Sequence, residues 1–129
     1  MKNKGYTVAD LSKITCIEDL CQVAECRVPR MFYDYADSGS WTEGTYRANE
    51  SDFHAIKFRQ RVAVNMEGRS TATTMVGQQA SMPVCIAPVG LTGMQHADGE
   101  IHAARAAEKF GIPFTLSTMS ICSIEDIAE

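Results

Sequence analysis

With 129 residues, 45% of them hydrophobic and 22% charged, the chain has the make-up of one ordinary globular domain, neither disordered nor fibrous. Its 12 basic and 16 acidic residues leave a formal charge of -4, and no cluster of Lys and Arg offers a footprint for a phosphate backbone, which speaks against nucleic acid as a partner. No run approaches the roughly 18 consecutive apolar residues of a membrane span, and the amino terminus leads into no apolar signal core, so a cytoplasmic protein is expected.

Residues 1–14 carry no clear signal and read as a loosely held extension. Thr15 and Glu18 then have capping-box spacing, and a helix is expected over 17–26 with Ile17, Leu20, Cys21 and Ala24 on one face. Pro29 can open a second helix, which Ser38 and Gly39 end. Ser40 and Glu43 suggest another capping box, starting a helix that runs to about His54 and buries Tyr46 and Phe53. Three helices before any strand suggest an amino-terminal cap on a larger body.

The five cysteines are an odd count. Cys16, Cys21 and Cys26 are spaced so that each is turned about 140° from the last on an ideal helix. They cannot share a metal ion from there, and reduced thiols acting as small hydrophobes are expected.

Further along, Ile56, Phe58, Val62 and Val64 alternate as an extended segment does, interrupted by Arg59, Gln60 and Arg61. Residues 71–80 read as two short strands turned near Gly77 and Gln78, a hairpin able to plug the bottom of a barrel. Val84, Cys85, Ile86 and Ala87 follow without a polar break, as in a strand buried on both faces, and Pro88 stops it. A glycine-bearing loop leads to a helix over Gly99 to Phe110, with Asp98 as N-cap, a narrow face of Ala103, Ala104, Ala106 and Ala107, and Gly111 and Pro113 as stops. Strand 113–116, loop 117–122 and a helix capped by Ser123 repeat the pattern. This alternation implies a parallel sheet with its chemistry on loops at the carboxyl ends of the strands.

Four motifs, in order and spacing, carry a family resemblance: Met31-Phe-Tyr-Asp-Tyr-Ala-Asp-Ser-Gly39, Met82-Pro-Val-Cys-Ile-Ala-Pro-Val-Gly-Leu91, Gly99-Glu100 with Ala103 to Ala107, and Phe114-Thr-Leu-Ser-Thr118 with Ser123-Ile-Glu-Asp126. From about residue 14 onward the chain resembles the FMN-dependent α-hydroxy acid dehydrogenases, above all the bacterial respiratory L-lactate dehydrogenases that do not use NAD. The resemblance implies an α/β fold, the amino-terminal part of a (β/α)8 TIM barrel preceded by helices and a hairpin. It also implies FMN across the carboxyl ends of the strands, with residues 15–81 forming the helices and hairpin and 82–129 the first two βα units.

By the same resemblance, Tyr35 matches the tyrosine that donates a hydrogen bond to the substrate carboxylate, a neutral donor that orients an anion without competing for protons. Pro88, Val89 and Gly90 match the loop against the isoalloxazine ring, with a main-chain amide near Gly90 aimed at flavin N5. Ser117 matches a serine that hydrogen-bonds the flavin. Read alone, Tyr35 is a core aromatic, the Pro-Val-Gly loop is weak evidence, and Ser117 is an ordinary strand-end serine. Met119 stands where plant glycolate oxidases of this family carry a tryptophan, which argues against glycolate.

The family reaction takes a hydrogen from the α-carbon of a 2-hydroxy acid, with a histidine base and carboxylate-binding arginines on late strands. His54, His96 and His102 occupy none of those positions and read as surface or loop residues. A barrel of this kind takes ~250 residues, so these residues are expected to be about the first third of an enzyme, inactive and aggregation-prone alone. No residue here is expected to be catalytic or to bind a metal. The full-length enzyme is expected to oxidise L-lactate to pyruvate, pass electrons to quinone, cytochrome or oxygen, and form homo-oligomers, in the cytoplasm or peripherally on the inner face of the cell membrane. Two other readings stay open: a non-catalytic remnant or interaction module that binds a barrel partner, and a barrel enzyme of another flavin or phosphate-binding class.

Overall fold

The structure, a computed structural model, describes residues 11–129; most of the expected extension over 1–14 lies outside them. The chain divides into two compact units, one ending at Asn49 and the other beginning at Glu50.

The first unit is helical. A single tight turn at Leu11–Lys13 precedes α1 (Ile17–Arg27), followed by α2 (Arg30–Asp37) and α3 (Gly44–Ser51), whose last residues belong to the second unit. The α1 cap falls one residue later than Thr15 and Glu18 suggested. Asp19 accepts from the Thr15 amide (2.8 Å), the Thr15 hydroxyl (2.9 Å) and the Cys16 amide (3.3 Å). Thr15 thus donates rather than caps, because the short Asp19 side chain reaches back to the turn.

Pro29, in an extended conformation, opens α2 as expected, its carbonyl accepting from the Phe32 and Tyr33 amides. The start of α3 differs from expectation. Trp41 and Glu43 both have left-handed φ, 56° and 57°, so Ser40 to Glu43 forms a turn closed by the Glu43 amide on the Ser40 carbonyl (2.9 Å). The helix begins only at Gly44, and Glu43 instead accepts from Arg47 at 3.4 Å. It ends at Ser51 and tightens into a turn at Asp52–Ala55. Tyr46 and Phe53 are not buried, at 44% and 72% exposure. Tyr46 instead reaches with its hydroxyl to Asp37 Oδ1 at 3.5 Å.

In the second unit, the expected extended segment around Ile56 to Val64 enters no strand pairing among the described residues, and Phe58 and Val62 are fully exposed. Arg59, Gln60 and Arg61 break its alternation, and Ala63 turns the backbone into the left-handed region. The hairpin forms from β1 (Thr73–Met75) and β2 (Gln78–Ala80), antiparallel with Thr73 opposite Ala80. Its two-residue turn is Val76 and Gly77, both at positive φ, one position earlier than the sequence suggested.

The two expected parallel strands meet in a single parallel bridge, Ile86 to Phe114. The Ile86 amide donates to the Pro113 carbonyl (2.9 Å), and the Thr115 amide donates to the Ile86 carbonyl (3.1 Å). Residues 84–87 are not covered on both faces: Ile86 is half-buried, whereas Val84, Cys85 and Ala87 are exposed. A run this apolar needs layers on both sides of a sheet, and the described residues supply only part of one.

Between the strands lie α4 (Thr92–Gln95), inside the expected loop, and α5 (Gly99–Phe110). Asp98 occupies the N-cap position of α5, but at φ 55° its side chain makes no capping bond. The carboxyl end of α5 closes as a Schellman motif: the Ile112 amide bonds the Ala107 carbonyl (3.0 Å), and the Gly111 amide bonds the Glu108 carbonyl (2.9 Å). Ser81 fastens that end to the start of the first strand, its amide on the Gly111 carbonyl (2.8 Å) and its hydroxyl on the Phe110 carbonyl (2.6 Å). The last helix, α6 (Ile124–Ala128), has the expected cap, with the Asp126 amide on Ser123 Oγ (3.1 Å) and the Ser123 amide on Asp126 Oδ2 (3.2 Å).

Candidate functional site

The bridge at Ile86 and Phe114 aligns the two chain segments so that both following loops emerge at the same, carboxyl, end. The first loop is Pro88, Val89 and Gly90. The second is a β-turn opened by Ser117, whose carbonyl accepts from the Ser120 amide (3.1 Å). One main-chain bond joins the loops, from the Leu91 amide to the Met119 carbonyl (3.0 Å). Four of the five sequence-predicted site residues, Pro88, Val89, Gly90 and Ser117, are therefore brought together.

Each loop is held by its own short bonds. Thr92 Oγ1 donates to the Val89 carbonyl (3.1 Å), and Leu91 takes a left-handed φ of 55° to enter α4. Ser117 Oγ accepts from the Met119 amide (3.1 Å), so its own proton is left for another acceptor. Ser117 also lines a hollow of about 550 Å³ with Phe114, Leu116, Ser120, Cys122 and Ile127.

The fifth predicted residue, Tyr35, belongs to the first unit. On α2 the face carrying Tyr33 and Asp37 is engaged: the Tyr33 hydroxyl and Cys21 Sγ are 3.1 Å apart, and Asp37 receives the Tyr46 hydroxyl. The bond to Cys21, with burial and the nearby Asp37 carboxylate, pushes the Tyr33 phenol well above its ordinary range. Tyr35, two positions away, points to the other side of the helix and is 49% exposed. A core role for it is not what the helix provides.

Sequence reasoning gave Glu100 no role, yet it is the largest fully buried side chain among the described residues, 2% exposed. Its Oε1 accepts from the Ile121 amide (3.2 Å) and its Oε2 from the Cys122 thiol (3.4 Å). Burial pushes the carboxyl up, but the amides of Ile121, Glu100 itself and Gly93, with the thiol, outweigh it and hold the group below its ordinary 4.5. Burial and the Glu100 carboxylate in turn raise the Cys122 thiol, which stays a donor. Gly93 is needed here for space: a Cβ would come within 2.9 Å of Ile121 Cβ and 3.1 Å of Glu100 Oε2.

His96 Nδ1 lies 2.7 Å from the Ala97 carbonyl, and the His96 and His102 rings meet edge to face at 5.5 Å. His54 sits in the turn after α3. All five cysteines are free thiols, and no group of three or more His, Cys, Asp or Glu among the described residues could hold a metal ion. No helix among them is long and apolar enough to cross a membrane.

The chain is 49% identical over 115 residues to an L-lactate dehydrogenase of Xanthomonas campestris pv. campestris (strain B100), an alignment covering 89% of this chain and 30% of that protein. It thus spans about a third of the length of the curated relatives it matches. Among solved structures it is similar to a soluble mutant of the membrane-associated (S)-mandelate dehydrogenase from Pseudomonas putida, with a TM-score of 0.80 and 40% identity over 87% of this chain and 32% of that one. A monotopic membrane protein (S)-mandelate dehydrogenase matches with a TM-score of 0.83 and 38% identity, covering 90% of this chain and 31% of that one. The fold is that of the amino-terminal part of a (β/α)8 barrel, preceded by helices and a hairpin. Residues 24–129 match the family described as FMN-dependent dehydrogenase, and the chain, with its paired loops at the ends of two parallel strands, belongs to that family.

Proposed function

We propose that the protein serves the FMN-dependent oxidation of an L-2-hydroxy acid, L-lactate to pyruvate, and that residues 1–129 supply part of the flavin site and one substrate contact. The observation that carries this reading is the bond from the Leu91 amide to the Met119 carbonyl, which fixes the loop 88–90 against the turn opened by Ser117.

When bound, FMN supplies the acceptor for the two electrons that leave the substrate. The residues of this chain bind and orient. Pro88, Val89 and the main chain of Gly90 would hold the flavin ring, and Ser117 would donate its uncommitted proton to it as a hydrogen bond. Tyr35 donates its phenolic proton to the substrate carboxylate from the exposed side of α2. The proton from the substrate goes to a histidine outside residues 1–129, and His54, His96 and His102 take no part. Residues 1–129 alone are then inactive. Reoxidation by quinone, cytochrome or oxygen, a homo-oligomeric state and a peripheral seat on the inner face of the cell membrane belong to the same reading. The last is supported by the similar protein solved as a monotopic membrane protein.

The test is turnover by the purified protein at its native length, with a dye acceptor and either L-lactate or (S)-mandelate. L-lactate is expected to be the better substrate, and Tyr35→Phe to lower kcat/KM by roughly ten- to hundredfold, the loss of one hydrogen bond to an anion. Better turnover of mandelate would move the substrate to the aryl hydroxy acids. No turnover of any 2-hydroxy acid would overturn the reading.

A further inference from the structure

The geometry points to Glu100 as a positioning residue that sets the two cofactor loops relative to each other through its buried carboxylate. This inference rests on the flavin reading above and deepens it. Glu100 is the second residue of α5, and its partners are amides and a thiol. They come from two directions. Gly93, in α4, directly follows the 88–90 loop and its Leu91–Thr92 exit, and it packs so closely on the carboxylate that a Cβ there would lie 3.1 Å from Glu100 Oε2. Ile121 and Cys122 directly follow the Ser117 turn.

The Leu91–Met119 bond joins the same two segments closer to the site. The main-chain bond and Glu100, hydrogen-bonded to one segment and packed on the other, therefore brace the two loops together. A buried charge is costly unless fully hydrogen-bonded, and here the donors that compensate it are the backbone whose position matters. Both oxygens accept, so the site requires an ionised carboxylate. A Gln of the same shape would aim its NH₂ at a donor, whichever way it turned.

The experiment uses the FMN-loaded protein at its native length. E100Q is expected to retain FMN but to shift the absorption spectrum and reduction potential of the bound flavin, and to lower kcat about tenfold with little change in KM, as loosened positioning does. C122A, which removes one donor and leaves the carboxylate, is expected to shift the flavin spectrum in the same direction by less. E100Q with the spectrum, potential and kcat of the parent protein would overturn the inference. If E100Q does not fold, C122A decides: an unshifted spectrum overturns the inference, and a shifted one supports it. S117A separates this from the reading beneath it. If S117A leaves the flavin spectrum unchanged, the Ser117 contact, and the Glu100 inference with it, fails. If S117A shifts it while E100Q does not, only the Glu100 role fails.

Discussion

Glu100, Asp126 and Asp19 are held by hydrogen bonds rather than by cations, and each is kept below its ordinary value in the folded chain. Glu100 is lowered by amides and a thiol that outweigh its burial. Asp126 is lowered by the Ser123 hydroxyl and then the Ser123 amide, and Asp19 by the Thr15 amide and then the Thr15 hydroxyl. A depressed folded value means that the unfolded chain binds protons more readily. The stabilisation is therefore complete above the ordinary values of 4.5 for Glu and 3.8 for Asp, and is lost as pH falls through the lower folded values. Thermal melts of the protein at its native length, followed by circular dichroism, are expected to be flat between about pH 7 and pH 5, then to fall towards about pH 3. E100Q should flatten part of that fall. A melting temperature constant down to about pH 3 would show that these carboxylates are not bonded as described.

At the scale of elements, α5 is the piece that joins the strands to the loops, and its carboxyl end is its most exacting part. Gly111 has φ 69°, and a Cβ there would meet Ser81 Cβ at 3.5 Å, an ordinary contact, so Gly111→Ala should cost backbone strain alone, roughly 1–2 kcal/mol. Chemical denaturation should show that loss as a lower midpoint with unchanged slope; an unchanged midpoint would mean that the Schellman closure is not holding the helix. This helix was legible in the sequence because its signals are local: a small face, a glycine stop and Pro113. The hairpin was legible for the same reason, to within one residue at its turn. The α1 cap was misread because Thr15 with Glu18 and Cys16 with Asp19 are overlapping pairs, and only the folded turn decides between them. The short α4 left no periodic trace. Of the proposed site, Pro88, Val89, Gly90 and Ser117 were singled out through family motifs alone, since by themselves they are an unremarkable loop and serine. Glu100 stood inside a quoted motif and still carried no role, because its partners lie 21 and 22 residues further on.

For the molecule as a whole, the apolar residues that would form a barrel core have little to pack against. Among the described residues the buried hydrophobic side chains are Ala80 and Ala107, while Val84, Phe110, Ile121 and Ile124 are half or more exposed. The single bridge between Ile86 and Phe114 leaves the outer backbone edges of both segments free to pair. Fully covering a side chain of this kind gains about 1.5–3 kcal/mol, so four of them together are comparable with the marginal stability of a small domain. Residues 1–129 expressed alone are therefore expected to bind an apolar dye such as ANS and to elute as self-associated species in size-exclusion chromatography. A longer form that includes the remaining barrel strands should lose the dye signal, because those strands supply the missing faces. A monomeric, dye-silent 129-residue chain with a cooperative melt would contradict this. It would mean that residues 1–129 satisfy their own core by a packing in which Ile86 and Phe114 are covered from within, and the paired loops would then need no further barrel to hold them.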